Sequence, residues 1–226
     1  METNRTEPDR KSGQTPHGPA RHLLQPGVTY ACRMAAITCG ECFVDDSCFE
    51  FFLRRLVSRA PGYRVNLHAY CLLPREVLLL ATPTTPQGVS GLLQSVASCY
   101  GRYFALRFDR SRRVFSTRLH CLPLENPQSV IEIQRLMERL GINNDSRHCP
   151  GRYHWSSYSE HALGGRQATL ILHSAWRRVI PAGIPALTAY RQRLACPIPE
   201  HRYHSLRQSL CIESQQRQHP AYPEQG

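Results

Sequence analysis

Six guanidinium groups fall within one short stretch of the chain: Arg102, Arg107, Arg110, Arg112, Arg113 and Arg118, opposed there only by Asp109. Arginine presents a planar fork of N–H donors that matches the oxygens of a phosphate. The stretch is therefore expected to track a nucleic-acid backbone, with a solvated charged loop as the alternative. Cys39-Gly40-Glu41-Cys42, followed by Cys48, has the spacing of half a zinc site. Such a site needs a second pair of Cys or His, and His68 and Cys71 are the candidates. Tyr100 and Tyr103 flank Arg102, and a phenol near a guanidinium could attack a phosphate; packing into the core is the expected role of both. Tyr103, Phe104 and Phe115 could stack on exposed bases, but again core packing is expected. His120, His148, His154, His161 and the Tyr203-His204 pair complete the acid–base candidates. None has a carboxylate and a nucleophile at telling spacing, so they read as core or surface histidines.

The rest of the chain fits a polyanionic partner. The 226 residues carry a formal net charge of +11, and nucleic acid is the first class of partner such a balance suggests. Lys11 is the only lysine, so the positive charge is almost all arginine; a genome biased toward Arg codons would give the same count. Arg177-Arg178, Arg191, Arg193, Arg202 and Arg207 make the C-terminal part basic too. With 41% hydrophobic residues, a globular body is expected. No apolar run reaches 18 residues, which predicts no membrane span. The first 22 residues are polar and lack an apolar stretch of the kind a secretory signal carries. The chain is accordingly expected in the cytoplasm, with its ten cysteines as reduced thiols.

These side chains need elements to hold them, and hydrophobic periodicity supplies the elements. Val28 to Thr38 reads as a strand, with Val28, Tyr30 and Cys32 on one face. Ser47-Cys48-Phe49-Glu50 has the form of a capping box and opens a helix with an apolar stripe of Phe49, Phe52, Leu53, Leu56 and Val57, ended by Pro61-Gly62. Two strands, Arg64 to Leu73 and Glu76 to Thr82, flank Pro74-Arg75. A second helix runs from about Gln87 to Phe108, a strand from about Ser116 to Leu122, and a third helix from about Pro127 to Arg139. The order β-α-β-β-α-β-α predicts an α+β fold: a ferredoxin-like antiparallel sheet with helices on one face, plus a helical C-terminal extension. The organisation expected is a disordered arm over 1–24, a core over 25–165, a basic helical extension over 166–212 and a disordered tail over 213–226.

Several blocks in order carry a resemblance. Pro26-Gly27-Val28-Thr29-Tyr30 opens the core, and Phe43-Val44-Asp45-Asp46 precedes the first helix. His68-Ala69-Tyr70-Cys71-Leu72-Leu73-Pro74 leads to the hairpin. Pro86-Gln87-Gly88-Val89-Ser90 and Gly101-Arg102-Tyr103-Phe104 bound the second helix. Tyr153-His154-Trp155-Ser156-Ser157-Tyr158-Ser159-Glu160-His161-Ala162-Leu163-Gly164 closes the core. Together they resemble the REP-associated tyrosine transposases, a branch of the HUH single-strand transposases, over roughly residues 25 to 165.

The resemblance implies an enzyme that cuts single-stranded DNA with a tyrosine, which becomes linked to the 5′ phosphate. A divalent ion, Mg or Mn, is held by two histidines on a strand and by a polar residue one turn after the tyrosine. This sequence departs from that pattern where it matters. The family's Pro-Asn-His-hydrophobic-His is matched by Pro74-Arg75-Glu76-Val77-Leu78. Counted back from Trp155 without gaps, the nucleophile falls on Leu136 and the following Asn on Leu140, and Leu140-Gly141-Ile142 replaces the family's Asn-Pro-Val. Glu76 retains oxygen ligands but is expected to be a solvated charge; Leu78 has none. The expectation is a DNA-binding protein of transposase ancestry without strand cutting, without a cofactor, and with single-stranded or hairpin DNA as partner; a homodimer is admitted. Two rivals remain: a working nickase with relocated catalytic groups, and a metal-stabilised interaction module built on Cys39, Cys42 and Cys48.

Overall fold

Alternation and stripe, the two patterns read from the sequence, become a four-stranded antiparallel sheet and its covering helices in a computed structural model. It describes residues 23–37, 40–109, 113–144, 153–164, 170–179 and 185–211, except the side chains of 143, 144, 179 and 186. The N-terminal arm through residue 22, the tail, Cys39, Arg110, Arg112 and His148 lie outside the described residues.

The strands are β1 (Thr29–Ala36), β2 (Val65–Leu73), β3 (Glu76–Pro83) and β4 (Phe115–Leu124), in the spatial order β2-β3-β1-β4. Helix α1 (Asp46–Arg59) links β1 to β2, and α2 (Gly88–Phe108) links β3 to β4. This is the ferredoxin-like arrangement. Helix α3 (Pro127–Asn144) follows β4, and four shorter helices complete the described chain: α4 (Tyr158–Leu163), α5 (Ala175–Val179), α6 (Ala186–Ala195) and α7 (Glu200–Ser209).

Strand alternation divides the interior into two layers. Tyr30, Cys32, Met34, Leu72, Val77 and Leu79 pack beneath α1 and α2 with Phe52, Leu56, Leu92 and Val96. The opposite set, Ala31, Ala69, Cys71, Leu73, Leu78 and Leu80, packs against Ile133, Leu136, Met137 and Leu140 of α3. Trp176, Tyr190, Leu194 and Leu206, from the basic extension, join this second layer. Helices α1 and α2 thus occupy one face, and α3 with the extension covers the other.

Two details of local structure differ from the sequence reading. The N-cap of α1 is Asp45, whose Oδ1 accepts from Cys48 N at 3.0 Å; Ser47 is already inside the helix. Asp at the cap satisfies an orphan N–H as well as Ser would, and Asp45 has a second task described below. The block Trp155–Ser157 does more than end the core: it pairs with the outer edge of β2 through Leu72 N to Trp155 O at 2.8 Å and Ser157 N to Tyr70 O at 2.9 Å. That pairing blunts an edge strand. Gly141 makes the approach possible, since a Cβ there would meet Tyr153 Cδ1 at 2.8 Å.

Candidate nucleic-acid interface

Helix α2 is 21 residues long and ends at Asp109, which adopts a left-handed backbone with φ +48°, a conformation Asp tolerates better than most residues. This redirects the chain toward β4, the outermost strand on its side of the sheet. Arg102 is exposed on α2, Arg113 is exposed just before β4, and Arg118 is exposed on β4 itself. Arg110 and Arg112 belong to the same connection but lie outside the described residues. Phe115, Leu119 and Cys121 contact the α1–α2 layer, so alternation places Arg118 on the opposite face of β4. Arg102, Arg113 and Arg118 thus lie on α2, just before β4 and on β4, which ends the sheet among the described residues, and they do not share one flat face.

Arg107 has a structural partner that the sequence did not reveal. Its Nη2 donates to Asp45 Oδ2 at 2.7 Å and its Nη1 to the Tyr103 hydroxyl at 2.5 Å. Asp45 thus caps α1 with one oxygen and ties α2 to it with the other. The guanidinium carbon also lies 5.3 Å from the centre of the Phe108 ring, within cation–π reach. Tyr103 stacks on Phe51 with centroids 4.1 Å apart. Phe104 and Phe115 are buried, and Tyr100 is fully buried with its hydroxyl donating to Cys42 O. Core packing, the expected role of these rings, is the one they have.

The positions that the resemblance assigns to chemistry come together in space. Leu78 on β3 and Leu136 and Leu140 on α3 are buried in the same apolar layer. Glu76, expected to be solvated, is buried at 5% exposure, and its Oε2 accepts from Arg33 Nε at 2.5 Å. The register explains the pair: Glu76 lies opposite Ala35 and Leu78 opposite Arg33. A side chain as long as arginine reaches this diagonal neighbour on the same face. A buried carboxylate left without a cation would be costly, and Arg33 supplies that partner.

Beside this layer lies a polar cluster that sequence reasoning missed. Glu138 and Gln134, one turn apart on α3, are fully buried. The Glu138 carboxylate accepts from Ser157 Oγ at 3.1 Å and from the Tyr190 hydroxyl at 2.5 Å, and it pairs with His161 Nδ1 at 3.0 Å. Gln134 Oε1 accepts from Trp176 Nε1 at 2.7 Å. His161 Nδ1 also lies 2.9 Å from Gln134 Nε2, and His161 Nε2 is buried without a partner among the described residues. Burial and the adjacent Glu138 push the Tyr190 hydroxyl well above the usual phenol range, so it remains a proton donor here. The cluster locks α3 to α4, α5 and α6. In the sequence, Gln134 and Glu138 resemble the solvated side of an amphipathic helix, and only the later helices reveal otherwise.

His68, a candidate zinc ligand, is committed elsewhere. Its Nδ1 donates to Ile171 O at 2.7 Å, leaving Nε2 to accept from Thr82 Oγ1 at 2.8 Å. Thr82 in turn contacts Thr29 Oγ1 at 2.8 Å, and Thr29 contacts His173 Nε2 at 2.9 Å. His173 Nδ1 accepts from Ala175 N at 3.0 Å. Each donor meets an acceptor when both rings are neutral. Burial holds His68 down to about 4 and lowers His173 as well. Cys71 lies in the α3 layer, whereas Cys42 and Cys48 lie beneath α1 and α2. The proposed ligand set is therefore divided by the sheet, and among the described residues no group of three or more His, Cys, Asp or Glu could hold an ion. His120 Nε2 lies 2.9 Å from Ser209 O, His154 is exposed, and the exposed His204 lies 3.7 Å from Glu200. No helix among the described residues is long and apolar enough to cross a membrane.

No protein-family profile and no curated protein matches this sequence. Among solved structures, a REP-associated tyrosine transposase bound to a REP hairpin is similar at a TM-score of 0.46 and 10% identity, over 70% of this chain and 92% of that one. The tRNA(His) guanylyltransferase of Saccharomyces cerevisiae is similar at a TM-score of 0.43 and 9% identity, over 86% of this chain and 82% of that one. Likeness at this level carries neither substrate nor activity.

Proposed function

We propose that this chain binds single-stranded or hairpin DNA through the arginines around the α2–β4 edge, and that it descends from a tyrosine transposase whose cutting chemistry it has lost. The observation that carries the reading is the pairing of two features on one scaffold. Arg102, Arg113 and Arg118 are exposed along α2 and β4, the strand that ends the sheet among the described residues. The three positions that the sequence resemblance assigns to a metal ligand, the nucleophile and its partner are leucines buried together. Leucine supplies neither an attacking oxygen nor a metal ligand, and the burial of all three gives them a packing role. Phosphate contacts from arginine supply affinity without sequence information, so binding is expected to respond to backbone and salt more than to base identity.

The test is incubation of the full chain with a hairpin oligonucleotide carrying single-stranded flanks, in Mg²⁺ or Mn²⁺. A retarded complex with an intact strand and no covalent product is expected. A tyrosine–5′-phosphate adduct, or no complex at low salt, overturns the proposal.

A further inference from the structure

We propose that Cys32 and Cys121 form a reversible redox site, a cross-strand disulfide that ties the edge strand β4 to β1 and takes a small disulfide of the glutathione class as its oxidant. The two residues are direct partners in the antiparallel β1–β4 ladder, and both side chains point into the α1–α2 layer. Their Sγ atoms are 2.8 Å apart, about 0.8 Å beyond a disulfide bond of about 2.05 Å. Directly opposed antiparallel residues have Cα atoms about 4.5 or 5.5 Å apart, and both spacings fall within the range a disulfide spans. Closure thus needs only small side-chain rotations and leaves the ladder in place.

The two sulfurs are unequal, and this sets the order of events. Cys32 is 1% exposed, whereas Cys121 is half-buried. Burial, with the neighbouring thiol adding to it, raises Cys32 well above the usual range, so Cys32 is the poorer nucleophile. Cys121 as thiolate attacks glutathione disulfide, forming a mixed disulfide at Sγ of Cys121 and releasing one glutathione thiolate. Cys32 then gives up its proton, attacks that same sulfur and expels the second glutathione. Two protein thiols are oxidised and one glutathione disulfide is reduced to two glutathione molecules. Excess glutathione or dithiothreitol reverses both steps. The other described thiols lack this arrangement: Cys42 donates to Pro74 O, and Cys196 and Cys211 are exposed. The site is independent of whether the chain binds nucleic acid.

The full chain is equilibrated in glutathione buffers from reduced to oxidised, alkylated, digested and mapped by mass spectrometry. In the oxidised buffers the expected product is the Cys32 peptide joined to the Cys121 peptide with two hydrogens lost, and dithiothreitol abolishes it. In C32S, with the second sulfur gone, a glutathione adduct accumulates on Cys121; in C121S, Cys32 stays a free thiol. The proposal is overturned if the native wild-type chain keeps both thiols while Cys211 takes up glutathione, or if the link forms only in denaturant. The wild-type map decides the matter even if a variant fails to fold.

Discussion

His68 is held neutral by burial between β2 and the segment carrying Ile171 and His173, and this gives the fold a signature in acid. Its ordinary value is 6.5 and its folded value about 4, so the folded state resists a proton that the unfolded chain accepts. Stability from this group is complete above pH 6.5 and falls as pH drops toward 4, with an upper size on the order of 3 kcal/mol. His173, lowered in the same direction, adds to the loss. Urea unfolding at stepped pH should show the midpoint falling through this window, and H68Q should flatten the fall while lowering stability at neutral pH. An unchanged slope in H68Q would contradict the assignment. Glu138 makes the second prediction at this scale. E138Q keeps the shape but loses the charge that the Tyr190 and Ser157 hydroxyls and His161 face, and should cost about 1–3 kcal/mol. E138A empties the cluster and should cost about 3–5 kcal/mol. Equilibrium denaturation measures both.

At the scale of elements, Gly141 decides how closely α3 approaches the Tyr153–Ser157 block. Alanine in an exposed helix interior is favoured over glycine by about 1 kcal/mol. Here its methyl would meet the Tyr153 ring at 2.8 Å, and the Tyr153 hydroxyl is held by Leu72 O. The clash should win, so G141A is expected to destabilise by about 1–3 kcal/mol, and Y153A should relieve part of the cost in a double-mutant cycle. The core elements were legible because their signals are local: β1 alternates, α1 and α2 carry unbroken stripes, and Pro74-Arg75 separates two apolar runs. The partners of charged side chains were not legible. Glu76 looked solvated because its cation is 43 positions away on another strand. Asp45 and Ser47 both precede the apolar stripe of α1, so local pattern does not choose between them as the N-cap, and the pairing of Asp45 with Arg107 spans 62 positions. The leucines at 136 and 140 could be read as a contact from spacing alone, but the Gln134–Glu138 cluster beside them could not, since Trp176 and Tyr190 arrive from helices whose sequence shows no strong stripe.

At the scale of the whole molecule, the sheet is covered on both faces, and the proposed contact with an extended polyanion is assigned to the end of the sheet at β4. Net charge alone would draw DNA to any arginine-rich surface, so the account has to be tested by location. The most direct measurement is DNA affinity against salt for the wild-type chain and for the triple variant R110A/R112A/R113A, with the fold checked by circular dichroism. If this connection contacts phosphates, affinity falls and the log–log salt dependence for single-stranded DNA flattens by about 2, near 0.7 for each phosphate contact removed. A triple variant that binds as tightly as the wild type, with the same salt slope, would contradict the account.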